Sequence, residues 1–572
     1  MEKRHLKGLS LLAATTLVIA GCGGRGKMKK YAENIKYTVD PNPLIVQGDS
    51  VAVAINGSFP GKYFYRKAQV ELTPTLTYPG GETPYKMVGF QGDKAVGNYT
   101  VIPYEAGKSF SYNGKVAFTQ AMGNQSELVV KILGKQGTKK EMPFDPVKIA
   151  DGVITTPYLM LSDDKVLLGK DAFQRVTSHS QDATIQYLVN NSVVRPSEVS
   201  DADVKALAAF IKASLKNPSI QIKGMSIDAW ASPEGELSKN ENLASDRAKS
   251  AMAWAKGELL RNKVDAAKVE TFFALNPRGE DWEGFKRAMQ ASTTVPDKEL
   301  VLRVLEMYPD LTKREEEIRN MAATYKEISE HILPQLRRSE MRLNFDRVGK
   351  TDEQLTAMSK SMPDSLNVEE LLFSATLTTD LNEQLRIYRE ASRIYPADYR
   401  GPNNAGYVLY QQNKLADAEA EFQKANSIQD NPISTNNLGV CARLKGDRKK
   451  AMEHYNKATA AGPEVKYNMG LINIQNGDYG SASSNMGSTN SVNAALAKVL
   501  GGDASGAQRI LEGASDKDTA TGHYLMAIIG ARQNNGDMVR NNLALAVQKD
   551  ASLREKAMKD LEFRNFKGQL GI

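Results

Sequence analysis

Chemistry needs side chains that converge, and few in this sequence are spaced to do so. His5, His179, His331, His454 and His523 are scattered, with no HExxH pair, no clustered Cys and His, and no GxSxG. Gly107-Lys108-Ser109 matches the end of a phosphate-binding loop, but position 102, where that loop needs Gly, is Ile, and the surroundings read as strand. Lys313, Arg314, Glu315, Glu316, Glu317 and Arg319 form a mixed charge run, expected as a solvated helix face with i,i+4 pairs and not as a catalytic pair of carboxylates. Core packing explains Trp230, Trp254 and Trp282 at least as well as sugar stacking does. The expectation is a chain that is no enzyme, with no cofactor and no metal.

Two cysteines remain, Cys22 and Cys441, in 572 residues of formal charge +7, 41% hydrophobic and 25% charged. At ~100 to 200 residues per domain the length holds three or four domains, and the composition excludes global disorder and a disulfide scaffold. The apolar run Leu9 to Ala20 is too short for a span of ~20 residues, and Lys3, Arg4 and Lys7 precede it. Ile19-Ala20-Gly21-Cys22 then follows, an order that resembles a bacterial lipoprotein signal with Cys22 as the lipidated residue. Removing residues 1–21 takes away three basic side chains and one acidic one, so +7 falls to +5, too mild to imply nucleic-acid binding. Residues 22–36, with Arg25, Lys27, Lys29 and Lys30, are expected as a solvated tether next to the lipid. In bacterial lipoproteins of the kind this start resembles, those displayed on the cell surface tend to carry acids just after the lipidated Cys. Only basic charges stand there here, which implies a lipid anchor in the outer membrane with the chain facing the periplasm.

The elements fall into regions. Residues 37–165 show short runs rich in Val, Tyr, Phe and Thr, among them Leu44 to Val46, Ser50 to Ile55, Ala68 to Leu72 and Glu127 to Leu133, separated by Gly and Pro turns. That pattern predicts an all-β sandwich of the immunoglobulin-like kind. Residues 180–348 alternate: a strand at Ile185 to Val189, a helix over 201–216 with Val204, Leu207, Ala208, Ile211 and Leu215 on one face, a strand at Ile220 to Trp230, and a helix over 242–262. An α/β domain is expected, interrupted by a helical insertion over 273–331 and followed by a linker at 349–367.

Ala231-Ser232-Pro233-Glu234-Gly235, Asn240 and Leu243-Ala244-Ser245-Asp246-Arg247-Ala248 resemble the signature of OmpA-like peptidoglycan-binding domains. Leu336-Arg337-Arg338-Ser339-Glu340 looks like that family's paired arginines, and Gly279-Glu280-Asp281-Trp282-Glu283-Gly284 together with the lipoprotein start resembles a Bacteroidota-type group of such lipoproteins. The resemblance implies a zwitterion site for a diaminopimelate of the peptidoglycan stem, built from Ser232, Glu234, Asn240, Arg247 and Arg338. Arg247 would take a carboxylate, since an Arg–carboxylate pair is charge-assisted and often bidentate. Ser232 stands where the family has Asp, so the ammonium would fall to Glu234 or Asp228. The other reading of Arg247 is a structural salt bridge between loop and helix.

From Val368 to the end the chain repeats. Small, bulky and small residues at i, i+4 and i+7 recur as Gln384/Tyr388/Ala391, Ala418/Phe422/Ala425, Ala451/Tyr455/Ala458, Ala482/Met486/Thr489, Ala507/Leu511/Ala514 and Val539/Leu543/Ala546, with starts spaced 34, 33, 31, 25 and 32. The order resembles tetratricopeptide repeats, which implies a solenoid whose concave face binds a protein segment. Cys441 is expected as a buried thiol. Two roles follow: an adaptor that contacts peptidoglycan and recruits partners through its repeats, or an accessory subunit of an outer-membrane assembly or secretion complex, such as one built on a β-barrel, whose OmpA-like domain has lost its ligand.

Overall fold

The computed structural model describes residues 24–572, so Cys22 and the signal-like segment lie outside the described residues. The chain divides into two compact units: one joins the residues up to Gly169 with Tyr395–Ile572, and the other is Lys170–Ile394. The sandwich and most of the repeats, expected as separate domains, share the first unit.

Two sheets face each other in the sandwich. One runs Lys36–Asp40, Ser50–Phe59, Leu44–Gln47, Val153–Ile154, with Lys108–Ala117 also pairing with Ser50–Phe59. The other runs Lys139–Pro143, Glu127–Gln136, Gln69–Tyr78, Val88–Gly92, Thr100–Ile102. Alternate residues point inward, as the pleat requires: Val51, Val53, Ile55 and Phe59 from one sheet, Leu128, Val130 and Ile132 from the other. Phe59 packs edge-on to Phe90 with ring centroids 5.0 Å apart. Burying such a side chain contributes roughly 1.5–3 kcal/mol. The solvated tether expected before the sandwich is instead folded onto it. Gly24–Lys30 is a helix, Met28 is buried in the sandwich core, and Arg25 donates from Nη1 to the Lys140 carbonyl at 2.8 Å. An apolar Met and an arginine with carbonyls in reach offset the cost of ordering this short segment.

The second unit is built on a four-stranded sheet. Val176–Gln186 pairs antiparallel with Arg338–Val348, that strand pairs antiparallel with Ile220–Ala231, and Ile220–Ala231 pairs parallel with Phe273–Glu280. Helices Ala202–Ser214 and Leu237–Arg261 bury Val204, Leu207 and Ile211, and Ala244, Ala248, Ala251, Ala255 and Leu259. Leu215, expected on the apolar face, is the exposed C-cap of its helix. The insertion begins later than expected, because Phe273–Glu280 is the parallel strand that closes a strand–helix–strand crossover. Helices Trp282–Ala291, Lys298–Met307 and Leu311–Arg319 then form a satellite core around Phe285, Met289, Val301 and Ile318. The expected linker at 349–367 holds a helix, Asp352–Ser361, started by a reciprocal capping box between Thr351 and Gln354. Helices Val368–Thr376 and Leu381–Ile394 belong to this second unit.

From Arg400 the first unit continues as helix pairs: Arg400–Gln411 with Leu415–Ile428, Pro432–Leu444 with Arg448–Lys457, Pro463–Asn476 with Tyr479–Asn485, Val492–Leu500 with Ala504–Glu512, and Ala520–Arg532 with Gly536–Lys549. The expected anchors Ala418, Phe422, Ala425, Ala451, Tyr455, Ala458, Ala482, Met486, Ala507, Leu511, Val539, Leu543 and Ala546 are buried. Three of the bulky anchors, Phe422, Tyr455 and Met486, enter holes left by Gly406, Gly439 and Gly470 on the paired helices. A Cβ at Gly439 would stand 2.5 Å from the Tyr455 ring, and one at Gly470 would stand 2.6 Å from Met486. The sandwich docks on these repeats. Arg448 pairs with Asp49 at 2.8 Å, Arg564 with Asp151 at 3.2 Å, and Gln47 donates to the Gly477 carbonyl at 3.1 Å.

Candidate functional sites: the groove of the repeats and the loop around Ser232

Residues 160–169 have no secondary structure, yet they run extended along the first helices of the repeat pairs. Asparagines hold their backbone. The Leu161 N–H donates to Asn493 Oδ1 at 2.8 Å, and Asn493 Nδ2 donates back to the Leu161 carbonyl at 2.8 Å. Asn468 does the same for Lys165 at 2.8 and 2.9 Å, Asn437 for Leu167 at 2.8 and 2.8 Å, and Asn404 for Gly169 at 2.8 and 2.9 Å. Each side-chain amide therefore acts as one rung of an adjacent strand, and the pleat brings alternate residues, Lys165, Leu167 and Gly169, to successive rungs, with Leu161 held four residues before. The asparagines brace each other: Asn437 donates to Asn403 and Asn468 to Asn436, both at 3.0 Å.

Two acids of the strap are read by their side chains. Asp164 lies in a buried ion pair with Arg443, whose Nε is 2.5 Å from Oδ1 and whose Nη2 also donates to Ser162 Oγ at 2.6 Å. Burial opposes the charge on Arg443, but the Asp164 carboxylate more than offsets it, and the guanidinium pKa ends above its ordinary value. Asp163 accepts from the Tyr467 hydroxyl and from Asn493 Nδ2, each at 2.7 Å. The face of the repeats expected to await a protein segment thus holds a strap of this chain itself, residues 160–169. Sequence reasoning missed it, although a signal was available: Asn403-Asn404 and Asn436-Asn437, then Asn468 and Asn493, repeat at 33, 31 and 25, the spacing of the anchors themselves.

In the second unit the residues chosen for a zwitterion site do come together, but they answer one another. Arg247 is 1% exposed and donates to three carbonyls: Asn191 at 3.1 Å, Trp230 at 2.8 Å and Leu188 at 3.2 Å. Burial pulls its pKa down to about 10. It is neither open to a carboxylate nor salt-bridged between loop and helix; it ties two loops together through their backbone. The Ser232 hydroxyl donates to Glu234 at 2.5 Å, and Arg337, the first of the paired arginines but not among the expected site residues, pairs with Glu234 at 2.7 Å. Asn240 donates to Glu280 at 2.8 Å, and Asp228 pairs with Arg278 at 2.7 Å. Arg338 pairs with Asp281 at 2.6 Å and with Glu340 at 2.7 Å, while its guanidinium lies over the Trp230 ring. Glu315, expected on a solvated face, turns inward and accepts from the Gly235 N–H at 2.5 Å; burial raises its pKa. It does so because the insertion helix Leu311–Arg319 carries it over the 232–235 loop.

Cys441 is buried and free, and burial pushes its thiol up to about 12. Among the described residues no helix is long and apolar enough to cross a membrane.

No family model and no curated protein matches the chain. Solved structures to which it is similar include a tetratricopeptide repeat protein from Parabacteroides merdae, at 13% identity over 43% of this chain and 97% of that one, with a TM-score of 0.28. PilF of Pseudomonas aeruginosa is 14% identical over 38% of this chain and 99% of that one, with a TM-score of 0.30. YrrB, described as a TPR protein with an unusual peptide-binding site, is 16% identical over 36% and 100%, with a TM-score of 0.22.

Proposed function

We propose that this chain is a non-enzymatic adaptor, lipid-anchored through Cys22 on the periplasmic side of the outer membrane, that serves as an accessory subunit of an outer-membrane assembly or secretion complex. The observation that carries the reading is the asparagine-lined groove, which holds an extended chain by its backbone and is therefore a receptor for protein segments. The order of residues before Cys22 supports the anchor.

The second unit we read as an OmpA-like module that no longer takes peptidoglycan. A zwitterionic ligand needs one free cation and one free anion, and Arg247, Glu234 and Arg338 each already have internal partners. Displacing such partners inside a partly dry site leaves charged groups unpaired, at several kcal/mol.

The test is affinity purification of the tagged chain from detergent-solubilised membranes, alongside sedimentation with purified peptidoglycan. Recovery of a β-barrel protein, with the chain left in the peptidoglycan supernatant, is the expected result. Sedimentation that Arg247→Lys abolishes would instead restore the cell-wall role and overturn this reading of the module.

A further inference from the structure

We propose that the groove is an exchangeable receptor for an extended acidic segment of a partner protein, and that residues 161–169 are its resident occupant. This rests on the adaptor reading above and says which partner chemistry the groove takes.

Three observations carry it. First, Asn493, Asn468, Asn437 and Asn404 each hold the occupant through both the N–H and the C=O of one residue, at Leu161, Lys165, Leu167 and Gly169, and an incoming extended chain can replace those backbone bonds one for one. Second, the occupant is seated shallowly. From Met160 to Lys170 only Asp164 and Gly169 are buried; Leu161, Val166, Leu167 and Leu168 are partly exposed, and Ser162 and Lys170 are exposed. Leu161, Val166 and Leu167 rest on the repeat cores with one side open, so a substitute chain must bring apolar side chains there. Third, the two buried positions define what a substitute must carry. Arg443 needs a carboxylate in place of Asp164. Five residues on, a Cβ at Gly169 would meet Arg400 Cγ at 2.7 Å, so that position needs glycine. The partner segment is therefore extended, with an acid, a pair of apolar residues two and three positions later, and a glycine at the fifth.

A tethered occupant competes at an effective concentration of about millimolar. A free peptide must match that concentration, whereas a partner docked elsewhere on the chain can exceed it.

The experiment titrates a fluorescent peptide with the sequence of residues 159–171 into the full chain and reads anisotropy. Wild type should reach half-saturation only near millimolar peptide. Asp164→Asn weakens the occupant through its side chain and Leu167→Pro through its lost N–H, and each should tighten peptide binding at least tenfold. Adding Arg443→Ala to either variant should abolish binding. A peptide with Pro at the place of Leu167 should fail, while one with Pro at Val166, whose N–H meets no ladder asparagine, should still bind. No binding at 1 mM by either strap variant, with the circular dichroism of a folded chain at the assay temperature, overturns the proposal, as does binding indifferent to Arg443→Ala. Dimerisation of the strap variants on size exclusion would assign the groove to a second copy and also overturn it. If the β-barrel partner is recovered equally well by the Arg443→Ala chain, exchange falls while the adaptor reading stands.

Discussion

Replacing Arg443 by Ala should destabilise the first unit by about 3–5 kcal/mol, because it leaves the Asp164 carboxylate buried without its counter-ion. The magnitude follows from burial: the side chains of Arg443 and Asp164 are 2% and 0% exposed. A solvent-exposed pair would contribute only ~0.2–1 kcal/mol, so the two cases are well separated. The companion change, Arg443→Met with Asp164→Leu, removes both charges together and should cost roughly nothing, since a desolvated pair rarely outperforms apolar packing of similar volume. The difference between the single and double changes is the coupling a double-mutant cycle measures. Urea unfolding is the assay. Trp230, Trp254 and Trp282 all lie in the second unit, so the first must be followed by far-UV circular dichroism instead of tryptophan fluorescence. With m of about 3 kcal/mol/M, the upper end of the usual urea range and apt for a unit this large, the single change should lower the urea midpoint by about 1–2 M at unchanged m. A loss below about 1 kcal/mol for Arg443→Ala would refute the reasoning, because the strap could then not be seated as described.

Arg247→Lys should destabilise the second unit by about 2–4 kcal/mol, since one ammonium cannot reach the three carbonyls that the planar guanidinium joins; thermal melting of the variant checks this. Cys441 should resist alkylation at pH 8 in the folded chain and react fully in denaturant, as its buried thiol stays protonated up to about 12; mass spectrometry after iodoacetamide reads it. His454 is held below its ordinary 6.5 by burial and by Lys450 and Lys457. Below pH 6.5 the unfolded chain binds a proton that the folded one refuses, so stability is lost as pH falls from there towards the lowered value. His454→Gln should flatten that part of the stability profile, measured by urea midpoints between pH 7 and 5.

The repeats were legible because their cores recur: Phe422 and Tyr455 sit in the same kind of hole at the same offset, and periodicity survives even where single residues degenerate. The α/β order was legible from strands and helices whose apolar faces have distinct periods. The strap was not, because residues 160–169 carry no periodicity and their partners lie hundreds of positions later; Gly169 meets Asn404 and Leu161 meets Asn493. Apolar periodicity also overlooks polar rungs, so the Asn pairs went unread despite sharing the anchors' spacing. Around Ser232 the residues were found and their roles were not. A motif places Arg247 on its helix, but only the loop geometry decides whether its donors meet a ligand or the Leu188, Asn191 and Trp230 carbonyls. Phe273–Glu280 hid as a strand behind Pro277, since a proline within a run argues against strand pairing unless the run lies at a sheet edge, as this one does.

The claim that the repeats read an extended backbone is tested most directly by native-state hydrogen exchange of the strap. The amides of Leu161, Lys165, Leu167 and Gly169 should be protected, and Asn437→Ala should release Leu167 first. Exchange of all four at the rate of an unstructured peptide would contradict the account.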